Sequence, residues 1–132
     1  MVKRLLAAAA LMGAAVASIG VGCGDSGGAG GTDCATATVK PYSELSAAFG
    51  KCITCHSSDL VTPTERQLAT DGFNYETYDL AKQFPDRIAV RIDADRSAAE
   101  GTTTMPPDGS PQLSPTEKTD MEAWADCGSP GP

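Results

Sequence analysis

Residues 52 to 56 read CITCH, and His56 is the only histidine in the 132-residue chain. Two cysteines separated by two residues and followed by a histidine occur in three kinds of site. These are a redox-active dithiol, part of a zinc site, and the attachment point of a haem. Each alternative makes different demands on the rest of the chain.

The haem alternative is the one that the chain meets best. A thioredoxin-like dithiol needs a βαβ context, which the sequence pattern does not show. A zinc site needs four ligands, and only Cys34 or Cys127 could add a fourth, at a spacing unlike a zinc ribbon. In haem attachment, two thiols add to the vinyl groups of one porphyrin and the next residue presents its imidazole to the iron. The motif therefore predicts one covalently attached haem c, with Cys52 and Cys55 as its thioether residues and His56 as an iron ligand.

The N-terminal segment predicts export. Lys3 and Arg4 precede an uncharged run over residues 5–22, which ends at Cys23. This resembles a bacterial lipoprotein signal, which would comprise residues 1–22, with Cys23 as the lipidated first residue of the mature protein. The alternatives are an ordinary signal peptide and a retained membrane anchor. Residues 23–33 would then form a flexible glycine-rich tether, and residues 34–132 the folded domain.

Composition narrows the range of possible functions. The chain has 17 acidic and 10 basic residues, a formal charge of −7, which argues against binding nucleic acid and permits attraction to basic protein surfaces. Aromatic residues make up only 5% of the chain, so a core of side chains alone would be marginal in a domain of this size. A cofactor, a metal or a disulfide commonly compensates for such a deficit.

Hydrophobic periodicity predicts an all-α domain. In the first helical stretch, KPYSELSAAFGKC (residues 40–52), Tyr42, Leu45, Phe49 and Cys52 share one face, and Gly50 is expected to end or loosen the helix. A second helix is expected over residues 74–83, because the residue before a proline avoids helical geometry.

Two further helices are predicted nearer the C-terminus. One starts at Pro85; its apolar residues are two apart, which would also suit a strand, but a helix is favoured. In the last helix Ser114 and Glu117 form a capping box, and Met121 and Trp124 lie on the apolar face. Gly128 can close this helix in the left-handed conformation. The intervening residues 94–112 are rich in turn formers and are predicted to be loop.

A helix leading into CITCH, a loop with Met105-Pro106-Pro107 and a capped C-terminal helix carrying Trp124 follow one another in order. Over residues 36–128 the chain thereby resembles the class I c-type cytochromes. The resemblance implies the cytochrome c fold, in which the N- and C-terminal helices cross and shorter helices and loops wrap around one covalent haem. It also implies His56 as the proximal iron ligand and Met105 as the distal one.

The residues themselves favour Met105 as the ligand. Only Met105 and Met121 follow the predicted signal, and Met121 shares a helix face with Trp124, where it is most simply part of the core. Met105 lies in a loop stiffened by two prolines, which limit the entropy lost on holding a thioether over iron. An imidazole and a thioether together give a low-spin iron with a raised reduction potential. The alternative is a loop methionine without a ligand role.

Two more pairs are considered, the first from this resemblance and the second from residue spacing. Crossing terminal helices would bring Cys34 and Cys127 near each other, and a disulfide is plausible in an exported protein. Arg87 and Arg91 are four residues apart and so share a helix face, where they could pair with the haem propionates. The alternative for the arginines is a solvated basic edge facing nearby aspartates.

These predictions indicate a one-electron carrier rather than an enzyme, working in an extracytoplasmic respiratory or redox chain. The protein would be exported to the periplasm or cell envelope and held to a bacterial membrane through Cys23. It would dock weakly with redox partner proteins through their basic surfaces, and it would take no small-molecule substrate. The alternatives are a peroxidase-like haem enzyme or sensor, for which a distal histidine is missing, and an electron-entry subunit of a larger dehydrogenase or oxidase complex.

Overall fold

A computed structural model describes residues 31–131. The predicted signal segment, Cys23 and most of the glycine-rich tether lie outside these residues. Over the described range the chain is all-α, with five helices and no strand. A 3₁₀ turn, Tyr42–Leu45, precedes α1 (Ser46–Cys52), α2 (Tyr78–Ala81), α3 (Pro85–Ile92), α4 (Ala94–Ala99) and α5 (Pro115–Asp126). A search of residues 31–131 for a helix long and apolar enough to cross a membrane finds none.

Helix α5 begins and ends with the signals that the sequence predicts. The Glu117 amide donates to the Ser114 hydroxyl at 3.2 Å, and the Ser114 amide donates to the Glu117 carboxylate at 2.7 Å. This reciprocal pair satisfies two amides that the first helical turn leaves without partners. After the helix, Gly128 has a φ of +92°, a conformation that costs glycine little. The capping box and the glycine terminator are both confirmed.

The core is built around one cluster of aromatic rings. Trp124 and Phe49 are almost fully buried, and their ring centroids lie 5.3 Å apart in an edge-to-face arrangement. Such a pair contributes about 0.5–1.5 kcal/mol beyond the burial of its area. Met121 is fully buried, as expected, and the first and last helices are in contact through this cluster. The other core residues are Leu45, Ala48, Tyr75, Ala81, Ile88, Ala89, Ile92, Leu113 and Ala125.

The N-terminal end of the described chain is fastened to the end of α5. The sulfur atoms of Cys34 and Cys127 lie 2.05 Å apart, at disulfide distance, with their Cα atoms 5.4 Å apart. Asp126 accepts the amide of Thr32 at 2.8 Å and two hydrogen bonds from the Arg96 guanidinium at 2.8 and 2.7 Å. The terminal segments and α4 are therefore held together at one end of the molecule.

Gly50 does not end the first helix, so that part of the prediction was wrong. Helix α1 continues to Cys52, and the Ile53 amide donates to the Phe49 carbonyl at 3.1 Å. A glycine lowers helix stability by only about 1 kcal/mol, which the burial of Phe49 on the same short helix can outweigh. The first cysteine of CITCH therefore lies on the last helical turn.

The helix expected over residues 74–83 is reduced to α2, Tyr78–Ala81. Its start is fixed by Thr77, whose hydroxyl accepts the Leu80 amide at 3.4 Å. The residues before Thr77 are not helical because they bind His56 instead. The Phe73 carbonyl accepts a hydrogen bond from the His56 ring, and the Tyr75 amide donates to the His56 carbonyl. The functional motif therefore uses backbone groups that a longer helix would need.

The stretch predicted to be loop at residues 94–112 contains a helix, so that prediction was also wrong in part. The Asp93 carboxylate caps α4 by accepting the amides of Asp95 and Arg96 at 2.7 and 2.9 Å. Ser97 is fully buried and its hydroxyl donates to the Val90 carbonyl at 2.6 Å. By contrast, the choice of a helix over a strand from Pro85 onward is confirmed by α3.

Candidate functional site

His56 is held by the turn that follows α1 and by the segment opposite. Its amide donates to the Cys52 carbonyl at 2.9 Å, which places the imidazole just beyond the helix end. The ring Nδ1 lies 2.8 Å from the Phe73 carbonyl, and the Tyr75 amide donates to the His56 carbonyl at 3.0 Å. Because a carbonyl only accepts, Nδ1 must carry the proton of the neutral ring. The Nε2 lone pair is then free for a metal.

The surroundings of His56 favour this neutral form. The Tyr75 ring packs against the imidazole with centroids 5.0 Å apart, and the imidazole is half-buried. Burial lowers the pKa of His56, and the positive charges of Arg66, Arg91 and Arg87 act in the same direction. Only an unprotonated imidazole can ligate a metal, so the site is prepared for that role.

Two cavities share His56 and Met105 in their walls. The larger has a volume of about 240 Å³ and the smaller about 100 Å³, and Leu68 and Ala69 also line both. The smaller is lined by Cys52 and Cys55, whereas the larger is lined by Tyr75, Arg87 and Arg91. The structure thus brings together the six cofactor residues that the sequence suggested, with the thiols on one side and the guanidinium groups on the other.

Met105 is attached to the helix that carries the arginines. Its amide donates to the Arg91 carbonyl at 2.6 Å, and it is half-buried. Two prolines follow it, and the Gln112 side chain donates to the Pro107 carbonyl at 2.9 Å. The loop is therefore fastened on both sides of the methionine, whose side chain lines both cavities.

Arg87 and Arg91 have cationic groups that the described part of the chain does not neutralise. Within residues 31–131 neither arginine has a carboxylate within 4.0 Å, and Arg87 is exposed whereas Arg91 is half-buried. The Arg87 guanidinium stacks over the Phe73 ring, 4.4 Å from its centroid. The Arg91 Nε is buried without a hydrogen-bond partner, and burial, with Arg87 nearby, lowers the pKa of Arg91. An anionic group in the larger cavity would satisfy this donor.

Tyr75 adds a phenol to the same wall. The side chain is 7% exposed, and burial is the main cause that raises its pKa to about 12. It therefore stays protonated and can donate a hydrogen bond into the cavity. Tyr78 lies elsewhere: its hydroxyl donates to the Ser129 carbonyl at 3.2 Å. Of these two tyrosines, Tyr75 lines the larger cavity and Tyr78 lines neither.

Cys52 does not have the properties of an attacking thiol. It donates a weak hydrogen bond to the Ala48 carbonyl at 3.7 Å, and burial raises its pKa to about 12. An attacking thiol needs the opposite shift, because the thiolate is the nucleophile. The zinc alternative also loses its fourth ligand, since Cys34 and Cys127 bind each other. In residues 31–131 no group of three or more His, Cys, Asp and Glu side chains is arranged to hold a metal ion.

Arg66 is a residue of this region that the sequence did not reveal. Its side chain is 4% exposed and donates to the Ser57 carbonyl at 2.7 Å, the Asn74 side chain at 3.0 Å and the Thr70 carbonyl at 3.1 Å. Ser57 follows His56 in the sequence, and Asn74 lies between Phe73 and Tyr75, the two residues that bind His56. Arg66 therefore fixes the backbone on both sides of the His56 contacts. No local pattern predicts this, because the acceptors depend on how the loop folds back.

The arrangement fits a c-type haem in its donor chemistry. It offers two thiols on one side, an imidazole and a thioether in the shared walls, and two guanidinium groups with an unsatisfied buried N–H on the other side. A haem needs thiols at its vinyl groups, two axial ligands and donors at its propionates. Comparisons of the chain with protein-family models, with curated proteins and with solved structures found no match.

Proposed function

We propose that this protein is a one-electron carrier that holds a single covalent haem c with His56 and Met105 as axial ligands. The observation that carries the proposal is the shared wall of the two cavities. His56 and Met105 line both, between the thiols of CITCH and the guanidinium groups of α3. A zinc site or a dithiol gives no reason for a methionine and for two arginines that have no carboxylate partner in the described residues at these places.

Each residue has a role that follows from its surroundings. Cys52 and Cys55 would hold the group covalently, which secures it in a domain with few large core side chains. His56, with Nδ1–H bound to the Phe73 carbonyl, would present Nε2 to the iron in a fixed orientation. Met105 would occupy the other axial position from a loop fastened to the Arg91 carbonyl. Arg87, Arg91 and Tyr75 would bind the propionates.

The bound group would supply reversible exchange of one electron between its ferric and ferrous states. An imidazole and a thioether leave no axial position for a substrate, which supports a carrier over a peroxidase-like enzyme. The proposal includes a cytochrome c fold, in which the helices surround this group. It also includes export of the protein and a lipid anchor at Cys23. These parts of the proposal rest on the motif order and on the N-terminal sequence.

The test is optical spectroscopy of protein made in a bacterial host with the cytochrome c maturation machinery. The ferric wild type should be low-spin and show the weak near-infrared band of methionine–iron ligation. Met105→Ala should abolish the band and open the iron to carbon monoxide. Met121→Leu is the matched control, since Met121 is fully buried in the core, and it should keep the band. A high-spin wild type that binds carbon monoxide readily would overturn the carrier proposal.

A further inference from the structure

Residues 57–72 form one loop between His56 and Phe73, and its surface differs from the rest of the described chain. Val61 is 80% exposed and Leu68 is 84% exposed. They are the large hydrophobic side chains that residues 31–131 leave mostly in solvent. Leu68 lines both cavities beside His56, whereas Val61 lines neither, so the loop carries apolar surface both at the candidate site and beyond it.

The loop has an unfavourable backbone conformation at Gln67 and Leu68. Gln67 and Leu68 have φ values of 49° and 65°, in the left-handed region that non-glycine residues avoid. The Leu68 amide donates to the Pro63 carbonyl at 2.9 Å, and the Ala69 amide to the Arg66 carbonyl at 2.8 Å. These bonds and the Arg66 side chain maintain a conformation that costs free energy. Such strain is concentrated at functional positions.

The exposed charge of the loop is entirely negative. Arg66 is its only cation and is buried, whereas Asp59, Glu65 and Asp71 are exposed. The Glu65 carboxylate accepts the amides of Val61 and Thr62 at 3.2 and 2.9 Å, so it belongs to the same short turn as Val61. Hydrogen bonds from Thr62 lower the pKa of Glu65, which keeps it ionised. Val61 and Glu65 thus share one turn of a loop whose three exposed charges are all negative.

The loop also borders the candidate site. Leu68 and Ala69 line both cavities, together with His56 and Met105. The guanidinium groups of Arg87 and Arg91 line the larger cavity, where the proposed function pairs them with propionates. The rim formed by the loop is therefore acidic and apolar, next to the place where an electron would leave.

We propose that the 57–72 loop is the docking surface for the redox partner, and that the partner presents a basic face with an apolar centre. This rests on the proposed function. The carboxylates would steer the encounter, and the apolar side chains would form a small desolvated contact, as suits weak redox complexes. The acidic rim disfavours a second copy of this chain, because like charges would meet.

The test measures electron transfer from the reduced holoprotein to a lysine-rich, high-pI cytochrome c by stopped flow over a range of ionic strength. Asp59→Asn/Asp71→Asn should lower the second-order rate constant about three- to tenfold at low salt and flatten its salt dependence. Val61→Ser should lower it about two- to fivefold at all salt concentrations. The matched control is Asp95→Asn/Glu100→Gln, which removes two equally exposed carboxylates at helix α4 and should change the rate less than about twofold.

Equal losses in both double variants, or no loss in either, would overturn the docking proposal while leaving the electron-carrier proposal intact. A wild type that contains no haem, or that transfers no electron, would overturn both. A second measurement does not depend on electron transfer: chemical-shift changes of the ¹⁵N-labelled protein on adding the basic cytochrome. Shifts concentrated in residues 59–71 support the proposal, and shifts concentrated at α4 overturn it. A concentration-dependent dimer that Val61→Ser abolishes would assign the loop to a second copy and would also overturn it.

Discussion

Arg66 is predicted to be the most important single side chain for the segment that holds His56. Its guanidinium is 4% exposed and makes three hydrogen bonds of 3.1 Å or less, to Ser57, Asn74 and Thr70. A hydrogen bond from a charged donor contributes about 1.5–3 kcal/mol, and the desolvation of the buried cation opposes this by several kcal/mol. We therefore expect Arg66→Met to lower the free energy of unfolding by about 2–4 kcal/mol.

Arg66→Lys should cost less, about 1–2 kcal/mol, because an ammonium keeps the charge but cannot reach all three acceptors. The assay is urea unfolding of the holoprotein followed by circular dichroism, with the slope of the transition unchanged. The matched control is Lys82→Met, since Lys82 is exposed and its contacts, the exposed Asp79 and the Tyr78 ring 4.7 Å from its ammonium, are weak, and its effect should stay within about 1 kcal/mol. An Arg66→Met variant no less stable than this control would refute the reasoning.

Three other predictions concern the disulfide, the ion pair at α5 and the cationic wall. Replacing Cys34 and Cys127 by serine should destabilise the protein by about 4–5 kcal/mol, because the bond closes a loop across a sequence separation of 93 residues. A loss below about 1 kcal/mol in urea unfolding would contradict this expectation. The Lys51 ammonium and the amide of the capping box lower the pKa of Glu117 to about 2, so its contribution to stability is complete above its ordinary pKa of 4.5 and is lost as pH falls toward 2. Glu117→Gln should therefore lower the free energy of unfolding by about 1 kcal/mol at pH 7 and flatten its pH dependence between pH 4.5 and 2; unchanged acid unfolding would count against the pair. Arg91→Met should lower the reduction potential, measured by spectroelectrochemistry, because it removes a positive charge beside the site; a raised potential would contradict the assignment.

Local rules explain the parts of the fold that sequence predicted well. The capping box of α5 needs only Ser114 and Glu117 three residues apart, and the start of α3 needs only a proline at a first helical position. The burial of Met121 and Trp124 follows from their spacing on one helix face. Each of these features depends on residues within one or two turns of each other.

The features that were missed depend on distant partners. Helix α4 lies in a stretch of turn-forming residues, and it is held by the Arg96–Asp126 bonds and the buried Ser97, which bring it to α5 and α3. Helix α2 is shorter than expected because residues before it bind His56. The Asp93 carboxylate, which accepts the amides of Asp95 and Arg96, was the one local signal for α4 that the sequence offered.

The candidate site was predictable in its residue types but not in its geometry. CITCH and Met105 are recognisable from sequence because attachment chemistry and a stiff loop each leave a pattern. The proton position on His56 could not be predicted, because it depends on a carbonyl 17 residues away. The buried, unsatisfied Nε of Arg91 and the Arg66 hydrogen bonds likewise require three-dimensional neighbours.

The intact mass of the exported protein, measured under denaturing conditions, tests the central claim most directly. Covalent attachment at CITCH predicts that the mass exceeds that of the mature chain, with its modification at Cys23, by one haem, and this excess survives unfolding because the thioether bonds remain. Cys52→Ser/Cys55→Ser should lack the excess, whereas Met105→Ala should retain it. A wild type that lacks the excess after passing through a competent maturation system would contradict the account.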